Sequence, residues 1–106
     1  MSYRFMRVMV LYDLPVGSSS EIRAYTQFRK FLIKNGFMMM QESVYTKLAL
    51  NQTVCRNIME NVRKNKPEVG LVQMLAITEK QYSKIEIVVG EIQSTVLSTD
   101  ERLVVL

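Results

Sequence analysis

Asp13 is the first side chain along the sequence whose type and position could do chemistry, because it stands where the apolar run of residues 5–12 stops. A carboxylate at this point has a structural explanation. An Asp ahead of a turn can accept hydrogen bonds from backbone N–H groups two residues on, and Pro15 has a fixed φ that ends strands. A chemical role is the alternative, and the rest of the chain must decide between the two.

The sequence limits that chemistry sharply. It contains one cysteine, Cys55, and no histidine in 106 residues. Zinc sites and histidine general bases are therefore excluded, and Cys55 has no imidazole to activate it as a nucleophile. We predict that Cys55 is a small buried hydrophobic residue.

Basic residues form the second group of interest. Residues 1–66 carry 11 Lys and Arg against four acids, whereas residues 67–106 carry three against six. One face of a predicted helix holds Arg23, Gln27, Lys30 and Lys34, and Arg29 flanks it. Such a face can bind a phosphate backbone, or it can be the solvated back of a helix, and the pattern alone leaves both interpretations open.

A clear order of secondary-structure elements positions these residues. Apolar, β-branched and aromatic runs predict strands, and Ser or Asn caps ahead of apolar residues at spacings of three and four predict helices. The segment 37–50 is long for one strand, so we expect two strands or one bent strand, broken near residues 41–42. The predicted elements are a strand at 5–12, a helix from the serines before Glu21 to about Asn35, the strands of 37–50, a helix from Asn51 to about Lys66, a strand at 70–77, a short capped helical turn from Thr78 ahead of the β-branched segment 85–89, and a last strand in DERLVVL.

The fold class that follows is α+β, a ferredoxin-like two-layer sandwich (βαββαβ) with an extra C-terminal strand. We assign residues 1–78 to the core and residues 79–106 to an extension with the helical turn and an edge strand. Both helices would cover one face of the sheet, so we expect Met9, Tyr12 and Tyr45 on a bare face. A second copy of the chain would cover it, which predicts a homodimer. The first helix is predicted to pack through Ile22, Tyr25, Phe28, Phe31 and Leu32.

The N-terminal residues bear on localisation. They form too short an apolar stretch for a signal peptide, and no run in the chain approaches the length of a membrane span. We therefore expect a cytoplasmic protein with no membrane partner.

Five segments in this order resemble the small CRISPR adaptation proteins of the Cas-two family, and more narrowly the variant found in type II systems. They are YD at Tyr12-Asp13, the basic helix RAYTQFRKFLIKNGF, the block QESVYTK, the phrase ITEKQYSKIEIVVG and the terminal DERLVVL. The resemblance covers nearly the whole chain. It implies a homodimer that bridges dimers of the Cas-one family integrase and holds captured foreign duplex DNA for insertion into the CRISPR array, as part of antiviral defence.

The resemblance also implies a role for Asp13, as the aspartate that holds Mg²⁺ in a metal-dependent endonuclease acting on single-stranded RNA or duplex DNA. Asp13 of each of two copies would share the ion, because hard cations prefer carboxylate and water oxygens, and the metal would activate water without a histidine. One carboxylate per chain is few for a nuclease. We therefore expect the scaffold role to be the main one, with the endonuclease as the alternative.

Contacts with DNA and with a partner protein are implied in the same way. A bridging dimer must present positive charge to the phosphates of the prespacer and the CRISPR repeat, and the terminal strand would add to the edge of a partner's sheet. The expected DNA-binding residues are Arg4, Arg7, Arg23, Arg29, Lys30 and Lys34. The expected partner-contact residues are Arg102, Leu103, Val104, Val105 and Leu106.

Other ferredoxin-like domains bind small molecules as regulatory modules or bind RNA on their sheets, and the fold alone does not separate these functions. The RNA-binding sheet requires an aromatic and glycine pattern that this sequence lacks. A small-molecule-binding regulatory module would need no concentration of basic residues, and it stays as the more remote alternative.

Overall fold

The alternation of side chains along β1 (Met6–Asp13) organises the fold. Val8, Val10 and Tyr12 are buried, whereas Met9 and Leu11 between them are half-buried and Asp13 after them is exposed. Because successive side chains on a strand point to opposite faces, one face of β1 lies in the core and the other lies outside it. The computed structural model describes residues 5–91, and the statements below concern those residues.

The sheet is antiparallel and has four strands in the order β2-β3-β1-β4. In this sheet β1 is central and pairs with β3 (Val44–Ala49) on one side and β4 (Leu71–Thr78) on the other, while β2 (Met38–Gln41) pairs with β3. With α1 between β1 and β2 and α2 between β3 and β4, this is the ferredoxin-like α+β topology. The predicted fold class is confirmed.

Local capping chemistry sets the ends of both helices. In α1 (Ser19–Lys34), Ser18 and Glu21 form a capping box, and Gly36 follows the C-cap Asn35 at φ +89°. In α2 (Gln52–Lys64), the Asn51 side chain accepts a hydrogen bond from the backbone N–H of Val54. The predicted starts are confirmed, and α2 ends two residues earlier than predicted.

Both helices pack on the same face of the sheet. Phe28 and Leu32 of α1 and Cys55, Ile58 and Val62 of α2 are buried in one cluster with the inward side chains of β1 and β3. Burial raises the pKa of the Cys55 thiol, which agrees with the predicted role of a small core residue. The other face of the sheet receives no such cover from α1 or α2.

Three side chains lie elsewhere than predicted. Tyr12 and Tyr45 were expected on the bare face, but they lie under the helices, where their rings stack 6.0 Å apart. Burial raises the pKa of the Tyr12 phenol, and its hydroxyl has no hydrogen-bond partner among the described residues. Ile22 was expected in the core stripe, but it is 51% exposed, because the buried contacts of α1 begin after its first turn.

The break between β2 and β3 falls where it was predicted, although no Gly, Pro or Asn marks it. Ser43 provides the turn by adopting φ +67°, a left-handed conformation that is uncommon for a residue with a side chain. Its carbonyl accepts a hydrogen bond from the backbone N–H of Tyr12 at 3.0 Å, which ties the turn to β1.

After β4 the chain enters a single helical turn, α3 (Glu79–Tyr82), with the predicted capping box between Thr78 and Gln81. The β-branched segment 85–89 forms no strand with the described residues. Arg4 and the terminal DERLVVL, with residues 102–106, lie outside the described residues, so the division into residues 1–78 and 79–106 stays a prediction. None of the described helices has the length and apolarity to cross a membrane.

Candidate functional site

The sheet face turned away from α1 and α2 is mainly apolar, and we call it the open face. Strand register places its side chains, because those opposite one another across paired strands share a face. Leu75 is 51% exposed there, and Leu71, Leu48 and Met38 are similarly exposed. A monomer rarely leaves so continuous an apolar face to water, which indicates a binding surface. The open face consists of Arg7, Met9, Leu11, Asp13, Met38, Gln41, Val44, Thr46, Leu48, Leu71, Gln73, Leu75 and Ile77.

Asp13 ends β1 on this open face, directly opposite Leu71 of β4. It is exposed, and it is the one acidic side chain that the described strands place on that face. Its carboxylate makes no hydrogen bond or ion pair with the described residues. The structural explanation as a turn cap is therefore wrong, because the residue two positions on is Pro15, which has no N–H to donate.

Gly70 fixes the backbone around Asp13. It has φ +100°, and a Cβ atom at this position would lie 3.1 Å from the Asp13 carbonyl oxygen and 2.6 Å from Leu14 Cδ2. Only glycine lets the loop before β4 pass this close to the end of β1 without strain. The position of the Asp13 carboxylate is thus set by β1 pairing and by this close approach.

The donor set at Asp13 suits a hard cation but is incomplete in one chain. A carboxylate without a protein partner is a suitable oxygen ligand for Mg²⁺. Across the described residues, no cluster of three or more His, Cys, Asp or Glu side chains exists that could hold a metal ion. In one chain Asp13 would be the single protein ligand, and water or other oxygen ligands would fill the remaining positions around a Mg²⁺ ion.

Four of the predicted DNA-binding residues lie together on the outside of α1. Arg23, Lys30 and Lys34 share one face of the helix and Arg29 flanks it; all four are exposed and form no ion pair with the described residues, and we call them the basic ridge. Since α1 packs on the sheet through its opposite side, the ridge lies on the far side of the molecule from the open face. The charges of the ridge are available to a polyanion.

Lys66 is a basic residue that sequence reasoning did not select. A groove of about 680 Å³ lies between α1 and the loop after α2, and its lining includes Arg23 and Gln27 on one side and Lys66 on the other. Lys66 therefore lies across the groove from Arg23 of the ridge, but Glu21 and Glu68 line the same groove, so its lining carries no net positive charge. Its position at the predicted end of α2 carried no pattern that could have indicated this.

Arg7 differs from the other predicted DNA-binding residues. Its Nε and Nη2 atoms donate hydrogen bonds of 2.9 and 2.6 Å to the two carboxylate oxygens of Glu79, and its guanidinium lies 4.3 Å from the centre of the Tyr82 ring. These bonds raise the pKa of Arg7 and lower the pKa of Glu79. The Arg7 charge is neutralised inside the chain.

Comparison with known proteins gives a consistent result. The family model described as CRISPR associated protein Cas2 matches residues 6–85. A protein of Treponema denticola named CRISPR-associated endoribonuclease Cas2 is 54% identical over 101 residues, which cover 95% of this chain and 100% of that protein. Proteins with the same name from Streptococcus mutans and Ligilactobacillus salivarius are each 38% identical over 95% of this chain, and the matches cover 93% and 100% of their lengths.

Gly70→Ala tests how the backbone positions Asp13. We expect a loss of about 1–3 kcal/mol in the free energy of unfolding, because the new Cβ atom meets the Asp13 carbonyl and φ +100° is strained for alanine. Urea titration followed by circular dichroism measures the loss. Gly17→Ala is the matched control: its Cβ atom would lie 3.4 Å from Glu21 Oε1, an ordinary contact. Equal stability of both variants would contradict the positioning role of Gly70.

Proposed function

The chain belongs to the Cas2 family of CRISPR-associated proteins, and on that premise we propose that it is a homodimeric adaptation protein that holds captured foreign duplex DNA. In this role it bridges dimers of a Cas-one family integrase in the cytoplasm during spacer acquisition. One observation carries the proposal: an apolar open face and an unpaired basic ridge lie on opposite sides of the same small domain. The first surface suits a second copy of the chain, and the second suits phosphate.

The homodimer follows from the open face. Burial of apolar surface favours association by roughly 25 cal/mol per Å² of area removed from water. The open face offers exposed leucines and methionine with few charges, since Arg7 is already paired with Glu79 and Asp13 lies at the strand end. A twofold contact between two open faces whose axis passes near the end of β1 would bring the two Asp13 carboxylates towards each other.

Duplex DNA binding follows from the basic ridge. In a dimer formed through the open faces, the two ridges would lie on the outside, one on each copy. Unpaired Lys and Arg side chains bind phosphates by releasing condensed counterions, without regard to base sequence. This suits a protein that must hold captured DNA of any sequence.

A metal-dependent endonuclease is the second candidate function, and the relatives named CRISPR-associated endoribonuclease Cas2 favour it. Asp13 with Asp13 of a second copy would hold Mg²⁺, which when bound supplies Lewis acidity at a phosphate and a more acidic water. The chain's own contribution is the exposed carboxylate at a fixed strand end. Without the ion, two carboxylates at close range repel each other, so metal and dimer would stabilise one another.

The first prediction concerns assembly. We expect a light-scattering mass of two chains at micromolar concentration, and Leu75→Asp should reduce it to one chain, because a charge on the open face cannot be buried without a partner. Ile22→Asp is the matched control, since Ile22 is equally exposed, at 51%, but lies on α1. A single-chain mass for the wild type, or equal effects of the two substitutions, would contradict a dimer through the open face.

The second prediction concerns charge. Reversing Arg23, Lys30 and Lys34 to Glu should abolish duplex DNA binding, because these charges are exposed and unpaired. Partial reversals should reduce the slope of log K against log salt by about 0.9 for each phosphate that the protein no longer neutralises. Fluorescence anisotropy with a labelled duplex over a salt series provides the measurement, and circular dichroism verifies the fold.

The control for charge is a triple reversal on α2 at Arg56, Arg63 and Lys64, which changes the net charge by the same amount. A clearly smaller effect of that control assigns the binding surface to the ridge. Wild-type affinity in the α1 variant would show that duplex DNA binds to a different surface of the protein.

The third prediction separates the scaffold from the endonuclease. Asp13→Ala should keep dimerisation, integrase binding and spacer acquisition, and its stability should change by no more than about 0.5 kcal/mol, because the carboxylate is exposed and unbonded. The same change should remove any Mg²⁺-dependent cleavage of RNA or DNA. Co-purification with the integrase, an acquisition assay and a cleavage assay are run on the same preparations. Loss of acquisition in a dimeric, integrase-binding variant would show that Asp13 is needed for the reaction itself.

A further inference from the structure

Asn35 ends α1, and it is the one asparagine of the chain that a glycine follows. Such an asparagine can lose its side-chain amide without an enzyme, because the backbone nitrogen of the next residue attacks the amide carbon. A glycine in the next position has no Cβ atom to hinder that approach. The residues that follow the other asparagines are Gln52, Ile58, Val62 and Lys66, so this chemistry is concentrated at Asn35.

The reaction has two steps, and water is its only co-reactant. In the first step Gly36 N gives up its proton and forms a bond to Asn35 Cγ, while the bond from Cγ to Nδ2 breaks and the amide leaves as ammonia. In the second step water opens the succinimide ring at either carbonyl, which leaves an aspartate or an isoaspartate. Nothing is oxidised or reduced, and a neutral amide is exchanged for a negative carboxylate.

The fold engages both reacting groups in hydrogen bonds. Asn35 Nδ2 donates to the carbonyl of Phe31 at 2.8 Å, and Asn35 Oδ1 accepts from Nδ2 of Asn61 at 3.3 Å. The N–H of Gly36 donates to the carbonyl of Ile33 at 3.1 Å. The amide is therefore held back over the last turn of α1, and the attacking nitrogen is already bonded. The reaction must wait until this turn opens.

Lys47 of β3 closes the same turn from the side of the sheet. Its Nζ donates to the carbonyl of Asn35 at 2.6 Å, where a cation also favours the negative end of the helix dipole. A Cβ atom on Gly36 would first meet Lys47 Nζ, Cε and Cδ, at 3.3, 3.4 and 3.8 Å. The Lys47 side chain thus lies against Gly36 and ties the turn to β3.

The product of the reaction would change the charge of the basic ridge. Asn35 directly follows Lys34, the last residue of the ridge. A carboxylate at this position would lie at the C-terminal end of α1, which already carries a partial negative charge, and it would have no N–H to donate to the carbonyl of Phe31. It would also repel phosphate and offset the charge of Lys34.

We propose that Asn35 is a site of spontaneous deamidation, that Lys47 keeps this site closed in the folded chain, and that the product weakens duplex binding by the basic ridge. The effect on DNA rests on the function proposed above, whereas the reaction and its restraint do not. Lys47 is thus a positioning residue for the turn that carries the basic end of α1.

Tandem mass spectrometry of the full chain, incubated at neutral pH, measures the deamidation rate at Asn35. Because the bonds of Asn35 Nδ2 and Gly36 N–H must both break, we expect the folded chain to react about thirtyfold more slowly than the chain unfolded in urea. Lys47→Met removes one charge-assisted hydrogen bond, so it should raise the rate in the folded chain by about tenfold. The same substitution should leave the rate in urea unchanged.

Two controls separate the restraint from a general effect. Asn65 caps α2 with the same bond, from its Nδ2 to the carbonyl four residues back at 2.8 Å, but Lys66 follows it, so it should stay unmodified in the same spectra. Lys80→Met makes the same substitution at an exposed lysine of α3, and it should not change the rate at Asn35. Amide hydrogen exchange at Val10 should stay slow in Lys47→Met.

Asn35→Asp reproduces one product of the reaction and tests its effect on DNA. We expect its affinity for a labelled duplex, measured by fluorescence anisotropy, to fall by up to about eightfold at about 0.1 M salt, the effect of one lost phosphate contact. Asn57→Asp is the matched control, because it adds the same charge at an exposed position of α2. Its effect should be clearly smaller.

Each outcome supports or overturns a separate part of the proposal. Absence of reaction at Asn35 in urea overturns the site, and equal rates in the folded and unfolded chains overturn the restraint. An unchanged rate in Lys47→Met, or a rise accompanied by faster exchange at Val10, overturns the role of Lys47. Equal affinities of Asn35→Asp and the wild type overturn the effect on the ridge.

Failure of the proposed function gives a different result. A wild type that binds no duplex overturns the DNA-holding role together with the effect of Asn35→Asp. The deamidation rates of the wild type and of Lys47→Met would still decide whether Lys47 guards Asn35, because they are measured without DNA.

Discussion

Both helices pack on the face of the sheet that carries Val8, Val10 and Tyr12. This one-sided packing leaves the opposite face of the sheet without a layer of helices, and the other features of the structure follow from it. A sheet buries its backbone hydrogen bonds in the ladder, but its two faces are separate surfaces that each require a partner if they are apolar. Here the sequence supplies one layer of helices. The open face is left as an apolar surface with one unpaired acid at its end.

The alternation of side chains along β1 determines which residues lie on the open face. Arg7, Met9, Leu11 and Asp13 occupy alternate positions, so they necessarily share a face. A slip of one residue in the pairing would turn Asp13 into the core and expose Tyr12. The register with β4, in which Asp13 lies opposite Leu71, and the close approach of Gly70 both oppose such a slip. The Asp13 carboxylate is thus fixed by the same contacts that hold the sheet.

The sequence was sufficient for features that depend on local chemistry. The strand-forming runs of β1 to β4, Ser18 and Asn51 as helix caps, and the helical turn after Thr78 are each decided within a few residues, and the structure confirms them. Family resemblance added the expectation of an integrase partner and of a metal at Asp13, which no spacing in the chain would have indicated.

The wrong predictions are those that depend on which side of a strand faces the core and on contacts between residues distant in the sequence. Residues 8–12 are all apolar, so their pattern does not say which alternate set is buried, and Tyr12 and Tyr45 were placed on the wrong face. The partner of Arg7 is Glu79, and no local rule connects residues so far apart.

The arrangement also bears on where the proposed scaffold function and its endonuclease alternative would lie in one small chain. In the proposed dimer the basic ridges face outwards, while the two Asp13 carboxylates lie at the contact between open faces. DNA held by phosphate contacts on the ridge would pass outside the helices, on the far side of each sheet from Asp13. Cleavage at Asp13 would require a strand to reach the contact between the open faces, which a flexible single strand does more easily than a stiff duplex. Holding duplex DNA and cutting single-stranded RNA would therefore use different surfaces of the proposed dimer.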